Sequence, residues 1–238
     1  MPIRHVAEKR IPLNSSTKKR MRQITKEDIE FARKPGIWDL GNQVLYDLCR
    51  THPGHRRDDE IVAKIWLIGR SYAASIERRK NAKEIGDDFY EKKVAPKVRD
   101  SEIDSWLDSI GKTEEPGSAR TIEVHKSLTD LFHKITDLDK RSLASKYLHF
   151  HRPEVFFMYD SRVKQSITKV VPKLSQIPDI ETNTYDPEYK DFARRCVWFR
   201  NHIRTSFGET LTLRELDTLL MKITNDEMRA RTRHSSKR

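Results

Sequence analysis

The sequence predicts an all-α protein, with one compact helical domain flanked by basic ends. Only eight of its 238 residues are glycine, and no segment alternates apolar and polar residues as a half-buried strand does. Apolar residues instead recur at steps of three and four, the spacing of one helix face. A division into two helical lobes with a cleft between them is compatible with this pattern, because 238 residues suit one large domain or two small ones.

The first half of the chain contains four predicted helical regions. Thr25 is followed three residues later by Asp28, which predicts a capped helix start. A second helix ends near the turn THPGH at 51–55, and a further helical region runs to about residue 110. The clearest pattern lies between them, over 58–79, where one helix face carries Ile61, Ile65, Ile68, Tyr72 and Ile76.

The second half reads as helices separated by two polar loops. The segments GKTEEPGS at 111–118 and SQIPDIETNTYDP at 175–187 contain the residues that break helices. Helices are predicted at 119–136 and 139–151, and Pro153 ends the second because a proline disfavours helix in the residue before it. A short helix follows Asp160, and helices at 187–206 and 211–223 complete the fold.

The formal net charge of +11 is concentrated at the two ends. Residues 1–23 carry a net charge of +6 and residues 228–238 a net charge of +5, so the intervening 24–227 is neutral. We therefore predict a basic N-terminal arm over 1–23, a helical domain over 24–227 and a basic C-terminal tail over 228–238. Within the neutral domain, residues 140–173 have a local net charge of +6, which indicates a nucleic-acid-binding patch.

The composition argues against several classes of protein. No stretch approaches the roughly 18 apolar residues of a membrane helix, and the N-terminus lacks the apolar core of a secretory signal. The two cysteines cannot hold a four-thiolate cluster, and no Cys/His spacing fits zinc. We expect an intracellular, monomeric protein without a membrane partner, metal or cofactor.

One stretch, SKYLHFHRPEVFFMYDSRV at 145–163, combines groups that suit chemistry. It places Lys146 on a helix, ends that helix at Pro153, and brings Asp160 in after an apolar run. Each feature also has an ordinary structural explanation: Asp160 as the N-cap of the next helix, Lys146 as a surface lysine, and the nearby cations as a solvated face.

The order of these residues resembles that of the helix-hairpin-helix DNA glycosylase superfamily. Family members carry a lysine on the second hairpin helix and an aspartate one helix and loop later, matched here by SLASK at 142–146 and MYDS at 158–161. Ser142 and Ala144 stand where the family's hairpin has glycines. The interval from Lys146 to Asp160 is 14 residues, about one helical turn shorter than in common members.

The resemblance implies base excision from DNA, with Asp160 and Lys146 as the catalytic residues. It implies that the target base is flipped out of the duplex. The candidate DNA-binding cations are Lys140, Arg141, Arg152, Arg162, Lys164 and, on the predicted helix at 58–79, Arg70. The candidate walls of the base pocket are Tyr72, Tyr147, His149, Phe150 and Tyr159.

Two other functions fit the same sequence. A non-catalytic helical DNA-binding protein would need only the basic surface, and a helical adaptor would use Lys146 and Asp160 structurally. For a glycosylase, the target base stays open between oxidised, alkylated, mismatched and bulky naturally modified bases. Its role would be repair or, for bases that mark foreign DNA, defence.

Overall fold

A computed structural model describes residues 21–80 and 86–235, and over these ranges every regular element is a helix. The α-helices are α1 (Lys26–Arg33), α2 (Asp39–Thr51), α3 (Asp58–Ser71), α4 (Asp87–Phe89), α5 (Ala95–Arg99), α6 (Ile103–Asp108), α7 (Ala119–Thr136), α8 (Arg141–His151), α9 (Ser161–Ile167), α10 (Pro187–Phe207) and α11 (Leu213–Ser235). A π-helical turn (Tyr90–Val94) joins α4 to α5, and a 3₁₀ turn (Leu174–Gln176) precedes α10. The predicted all-α class is confirmed.

The buried apolar side chains form two separate cores. Helices α2, α3, α5, α6, α7 and α8 build the first core, whereas α1, α9, α10 and α11 build the second. The chain passes from one to the other between two adjacent phenylalanines, because Phe156 packs in the first core and Phe157 in the second. The apolar run before Asp160 is thus the crossing point, and Asp160 lies where α8 and α9 meet.

Helix α3 is shorter than its apolar pattern predicts. The helix ends at Ser71 instead of continuing to 79, because the chain turns back over Gly69. Ala73 adopts a left-handed φ of 50°, and the Ala74 N–H donates to the Gly69 carbonyl at 2.8 Å. Ile76 still joins the first core, but from the segment after this turn. The apolar residues therefore keep a helical spacing in the sequence beyond the point where the helix ends.

The chain ends also differ from the sequence prediction. Helix α11 runs to Ser235, so it extends beyond the predicted end at 223 and includes residues 228–235 of the predicted tail. Of the predicted N-terminal arm, residues 1–20 lie outside the described residues. At the start of the domain the predicted cap at Thr25 is confirmed: its hydroxyl accepts from the Asp28 N–H at 3.3 Å, and Asp28 accepts from the Thr25 N–H at 3.2 Å.

Two glycines with left-handed backbone allow a matched stability test. Gly117 has φ of +75°, and an added Cβ would lie 2.7 Å from Val197, whereas Gly208 has φ of +72° with open space around it. We expect Gly208→Ala to cost about 1 kcal/mol in backbone strain. Gly117→Ala should cost roughly 1–3 kcal/mol more, because it also overpacks the second core. Urea unfolding measures both, and equal losses would contradict the predicted clash.

Candidate functional site

Helices α8 and α9 bring the two predicted catalytic side chains together. Lys146, in the second turn of α8, is 3 % exposed, and its Nζ lies 4.0 Å from Asp160 Oδ2. Asp160 is the N-cap of α9 and accepts from the Arg162 N–H at 2.9 Å. The Asp160 side chain remains partly exposed, so one carboxylate is both a helix cap and the solvent-facing partner of a buried amine.

Three side chains of α8 fix the backbone just before Asp160. Lys146 Nζ and Ser142 Oγ both donate to the Tyr159 carbonyl, at 2.7 and 3.2 Å, and Ser145 Oγ accepts from the Tyr159 N–H at 2.9 Å. Lys146 also donates to Ser142 Oγ at 2.7 Å. Both backbone polar groups of Tyr159 are satisfied in this way, which orients the Asp160 carboxylate that follows.

This arrangement corrects the predicted hairpin. Ser142 and Ala144, assigned to the turn, lie inside α8, and the turn between α7 and α8 is formed by residues 137–140. Asp137 adopts the left-handed conformation there, with φ of 55°. Ser145 was not identified from the sequence as a site residue. Its position next to Lys146 is the one sequence signal that could have identified it.

We predict that Ser145→Ala destabilises the fold and weakens any activity that depends on Asp160. The variant leaves the buried Tyr159 N–H without an acceptor, which should cost about 1–3 kcal/mol of unfolding free energy. Urea unfolding measures the cost. Ser127→Ala is the matched control, because the Ser127 hydroxyl only donates back to the Glu123 carbonyl within its own helix. A loss no larger than that of the control would contradict the role of Ser145.

The surroundings of Lys146 shift the pKa of its ammonium group. Burial lowers the pKa of the Lys146 ammonium, nearby Asp160 and Asp217 act in the opposite direction, and Arg162 adds to the lowering. A neutral amine has two N–H groups, and the Ser142 hydroxyl and the Tyr159 carbonyl are two acceptors for them.

Further polar side chains extend this pair into a cluster between the two cores. Lys146 Nζ lies 5.9 Å from the centre of the Tyr72 ring, and Tyr72 Oη donates to Asn42 Oδ1 at 2.7 Å. From α11, Arg214 lies 3.4 Å from Tyr72 Oη and donates to Asp217 at 2.9 Å. Burial raises the pKa of the Asp217 carboxyl. Asn42, Arg214 and Asp217 were missed because they come from distant segments with no local motif.

A cleft of about 1100 Å³ lies beside the polar cluster. It is bounded by α2, α6, the end of α8 and the start of α11, so it borders both cores. Phe150 lines it, and so does Tyr46, whose hydroxyl is 2.7 Å from His149 Nε2. His149 Nδ1 is 2.8 Å from the Phe156 carbonyl, which accepts a hydrogen bond from the Nδ1–H. Nε2 is then the unprotonated nitrogen that accepts from the Tyr46 hydroxyl.

Of the five predicted pocket residues, Tyr72 and Phe150 border the cluster or the cleft and three belong to the cores. Tyr147 is fully buried in the first core, where its hydroxyl bonds to His55 Nε2 at 2.7 Å. His149 is also fully buried and holds the Phe156 carbonyl. Tyr159 packs in the second core. The structure therefore places these three side chains in packed interiors, which is common for aromatic residues, and their role as walls of a base pocket stays a prediction.

The predicted basic patch is largely neutralised by internal contacts. Lys140 is buried and donates to two backbone oxygens in the segment after α3. Arg141 makes a two-pronged bond to the buried Asp186, with both N–O distances 2.6 Å. Arg152 binds Glu154 and backbone oxygens at the end of α6. These three cations are occupied by contacts within the fold, and their assignment to DNA phosphates stays a prediction.

The other three predicted cations are at the surface, each with an acidic neighbour. Lys164 bonds to Glu188 at 2.7 Å, and Arg70 pairs with Glu77. Arg162 is 61 % exposed, and its Nε is 3.6 Å from the Asp160 carboxylate. Exposed pairs of this kind contribute little stability and can exchange partners. Arg162 is the predicted cation best placed to meet a ligand at Asp160.

Among the described residues, no group of three or more His, Cys, Asp or Glu side chains has an arrangement that could hold a metal ion. No helix in 21–80 or 86–235 has the length and apolar character of a membrane span. The chain matches no protein-family model, no curated protein and no solved structure.

Proposed function

We propose that the protein is a DNA glycosylase, which removes a modified base by cleaving its N-glycosidic bond and leaves an abasic site. The observation that carries the proposal is the Lys146–Asp160 pair. A buried amine lies 4.0 Å from a partly exposed carboxylate. Neither residue lines the cleft, which connects to the pair through Arg214 and Tyr72. The sequence resemblance gives the same two residues the same roles.

Asp160 supplies the charge that this reaction requires. Breaking the bond between C1′ and the base develops positive charge on the sugar, and a fixed carboxylate stabilises that charge. The hydrogen bonds of Lys146 and Ser145 to the Tyr159 backbone, together with the N-cap bond from the Arg162 N–H, hold the carboxylate in place before substrate binds. A preorganised group of this kind needs little rearrangement in the transition state.

Lys146 can act as the nucleophile in a second version of the reaction. Its neutral amine attacks C1′, a C1′–N bond forms, and the base leaves with the electron pair of the broken glycosidic bond. The amine loses a proton and the departing base gains one, so the exchange is balanced. The sugar ring then opens to a Schiff base on Lys146. If Lys146 does not attack, a water activated by Asp160 takes its place.

DNA would approach from the exposed side of Asp160. Arg162 offers a guanidinium group there for a phosphate, and its pairing with Asp160 is loose enough to exchange. The neutralised patch means that the described helical domain presents fewer free cations than its sequence predicts. Affinity would therefore depend more on contacts at the site itself than on general charge.

The proposal is tested by incubating the protein with duplexes that each contain one modified base, followed by alkali to cleave abasic sites. The panel covers oxidised, alkylated, deaminated and hydroxymethylated bases. Strand cleavage that depends on one class of base is the expected result. Salt-sensitive DNA binding without base release would instead identify a DNA-binding protein. If the protein neither binds DNA nor releases a base, the result favours the helical adaptor.

A further inference from the structure

The polar cluster between the cores contains one side-chain donor without a partner. Asn42 is 8 % exposed, and its Nδ2 makes no hydrogen bond. The orientation of the amide follows from its neighbours: Arg214 lies 3.4 Å from Tyr72 Oη, so the hydroxyl proton is directed to Asn42 Oδ1. An unsatisfied buried donor costs about 1–3 kcal/mol, which a ligand acceptor would recover.

The unpaired donor is close to the proposed reacting groups. Tyr72 bonds to Asn42 through its hydroxyl, and its ring lies next to Lys146, which in turn faces Asp160. Asn42 thus lies one side chain away from the amine that would attack the sugar. A base attached to that sugar would extend into the same cluster.

Arg214 connects the cluster to the cleft. It lines the cleft and is partly exposed, and it also lies against Tyr72 and Asp217. Tyr46, one turn after Asn42 on α2, lines the same cleft. Movement of the Arg214 side chain toward solvent would open a path from the cleft to Asn42 Nδ2, which is enclosed in this structure.

The chemistry of the open position selects for an acceptor. Asn42 Nδ2 and the Arg214 guanidinium both donate hydrogen bonds and cannot accept them. Carbonyl oxygens and unprotonated ring nitrogens are the acceptors on nucleobase edges. An amino group presented at this position would leave two donors facing each other, which is unfavourable.

We infer that Asn42 is a specificity-determining residue, whose Nδ2 donates to a carbonyl oxygen or ring nitrogen of the base held at Lys146 and Asp160. The inference rests on the proposed glycosylase function and adds to it a recognition contact that neither the sequence nor the resemblance indicates. Arg214 moves aside on binding to admit the base.

The test compares Asn42→Ala and Asn42→Asp on whichever duplex of the modified-base panel the unaltered protein cleaves. Asn42→Asp keeps the oxygen that accepts from Tyr72, replaces the donor with an acceptor and adds a negative charge. Single-turnover base release should fall roughly tenfold in Asn42→Ala, the loss of one hydrogen bond, and at least tenfold further in Asn42→Asp, because two acceptors then repel. Asn201→Asp, the same change at an exposed position of α10, is the control for added charge.

The results separate this inference from the proposed function. Release that falls from the unaltered protein to Asn42→Ala and again to Asn42→Asp, with both variants folded at the assay temperature, supports the donor role. Release by Asn42→Asp equal to or above that of Asn42→Ala overturns it and leaves the glycosylase function standing. If the unaltered protein releases no base from any duplex, the proposed function fails, and the Asn42 inference fails with it.

Discussion

Asp160→Asn is expected to reduce base release by a factor on the order of 10² to 10³ while leaving the fold intact. The substitution removes the negative charge that faces the developing positive charge on the sugar. It retains a side-chain oxygen that can accept from the Arg162 N–H, so α9 keeps its cap. Asn and Asp are nearly equal as N-caps, and the free energy of unfolding should change by less than about 0.5 kcal/mol.

Single-turnover release from the cleaved duplex measures the effect, and DNA affinity is measured in parallel. Affinity should stay within a few-fold, because asparagine keeps the shape of the side chain. Asp191→Asn, an exposed change of the same kind on α10, controls for the loss of one negative charge. Full activity of Asp160→Asn would remove the aspartate from the mechanism, and activity lost together with stability would mean that Asp160 acts only as a cap.

The sequence predicted those features that depend on short segments. The capping box at Thr25 and the N-cap at Asp160 each involve residues within three positions of one another, so their geometry follows from local backbone rules. Lys146 and Asp160 are close in space because only the end of α8, the turn at Pro153 and a short apolar run separate them along the chain. Local signals were sufficient because the intervening chain is short.

Features that depend on distant residues could not be predicted in this way. Arg141 binds Asp186, which lies 45 positions away, and no sequence pattern links the two. The charge of residues 140–173 therefore indicated a free basic patch that the fold neutralises. In the same way, Asn42 and Arg214 meet at Tyr72 from opposite ends of the chain. Only the packing of the two cores brings such residues together.

Sequence periodicity also failed where a turn interrupted it. The apolar step from Tyr72 to Ile76 fits a helix, yet the backbone reverses at Ala73. The turn is closed by the Ala74 N–H, which donates to the Gly69 carbonyl at 2.8 Å. Ending α3 at this point leaves Tyr72 in the cluster with Lys146 and Asn42. Because the helix was predicted to continue to 79, the sequence did not predict the contact between Tyr72 and Asn42.

Lys146→Gln is expected to abolish covalent trapping of the protein on substrate DNA by borohydride. Reduction of a Schiff base leaves a stable protein–DNA adduct, which requires a lysine amine bonded to C1′. Glutamine retains N–H groups for the Ser142 hydroxyl and the Tyr159 carbonyl but has no nucleophilic amine. Lys64→Gln is the control: burial also lowers the pKa of Lys64, but its ammonium binds two backbone carbonyls in the first core.

The pH dependence of trapping distinguishes an attacking lysine from an electrostatic one. Because burial lowers the Lys146 pKa below the value of about 10.4 for an exposed lysine, the fraction of neutral amine rises at lower pH than usual. Adduct yield should increase with pH through that pKa and then level off. An adduct that persists in Lys146→Gln would assign the attack to another amine. Efficient base release with no adduct at any pH would make Lys146 the electrostatic partner of Asp160, with an activated water as the nucleophile.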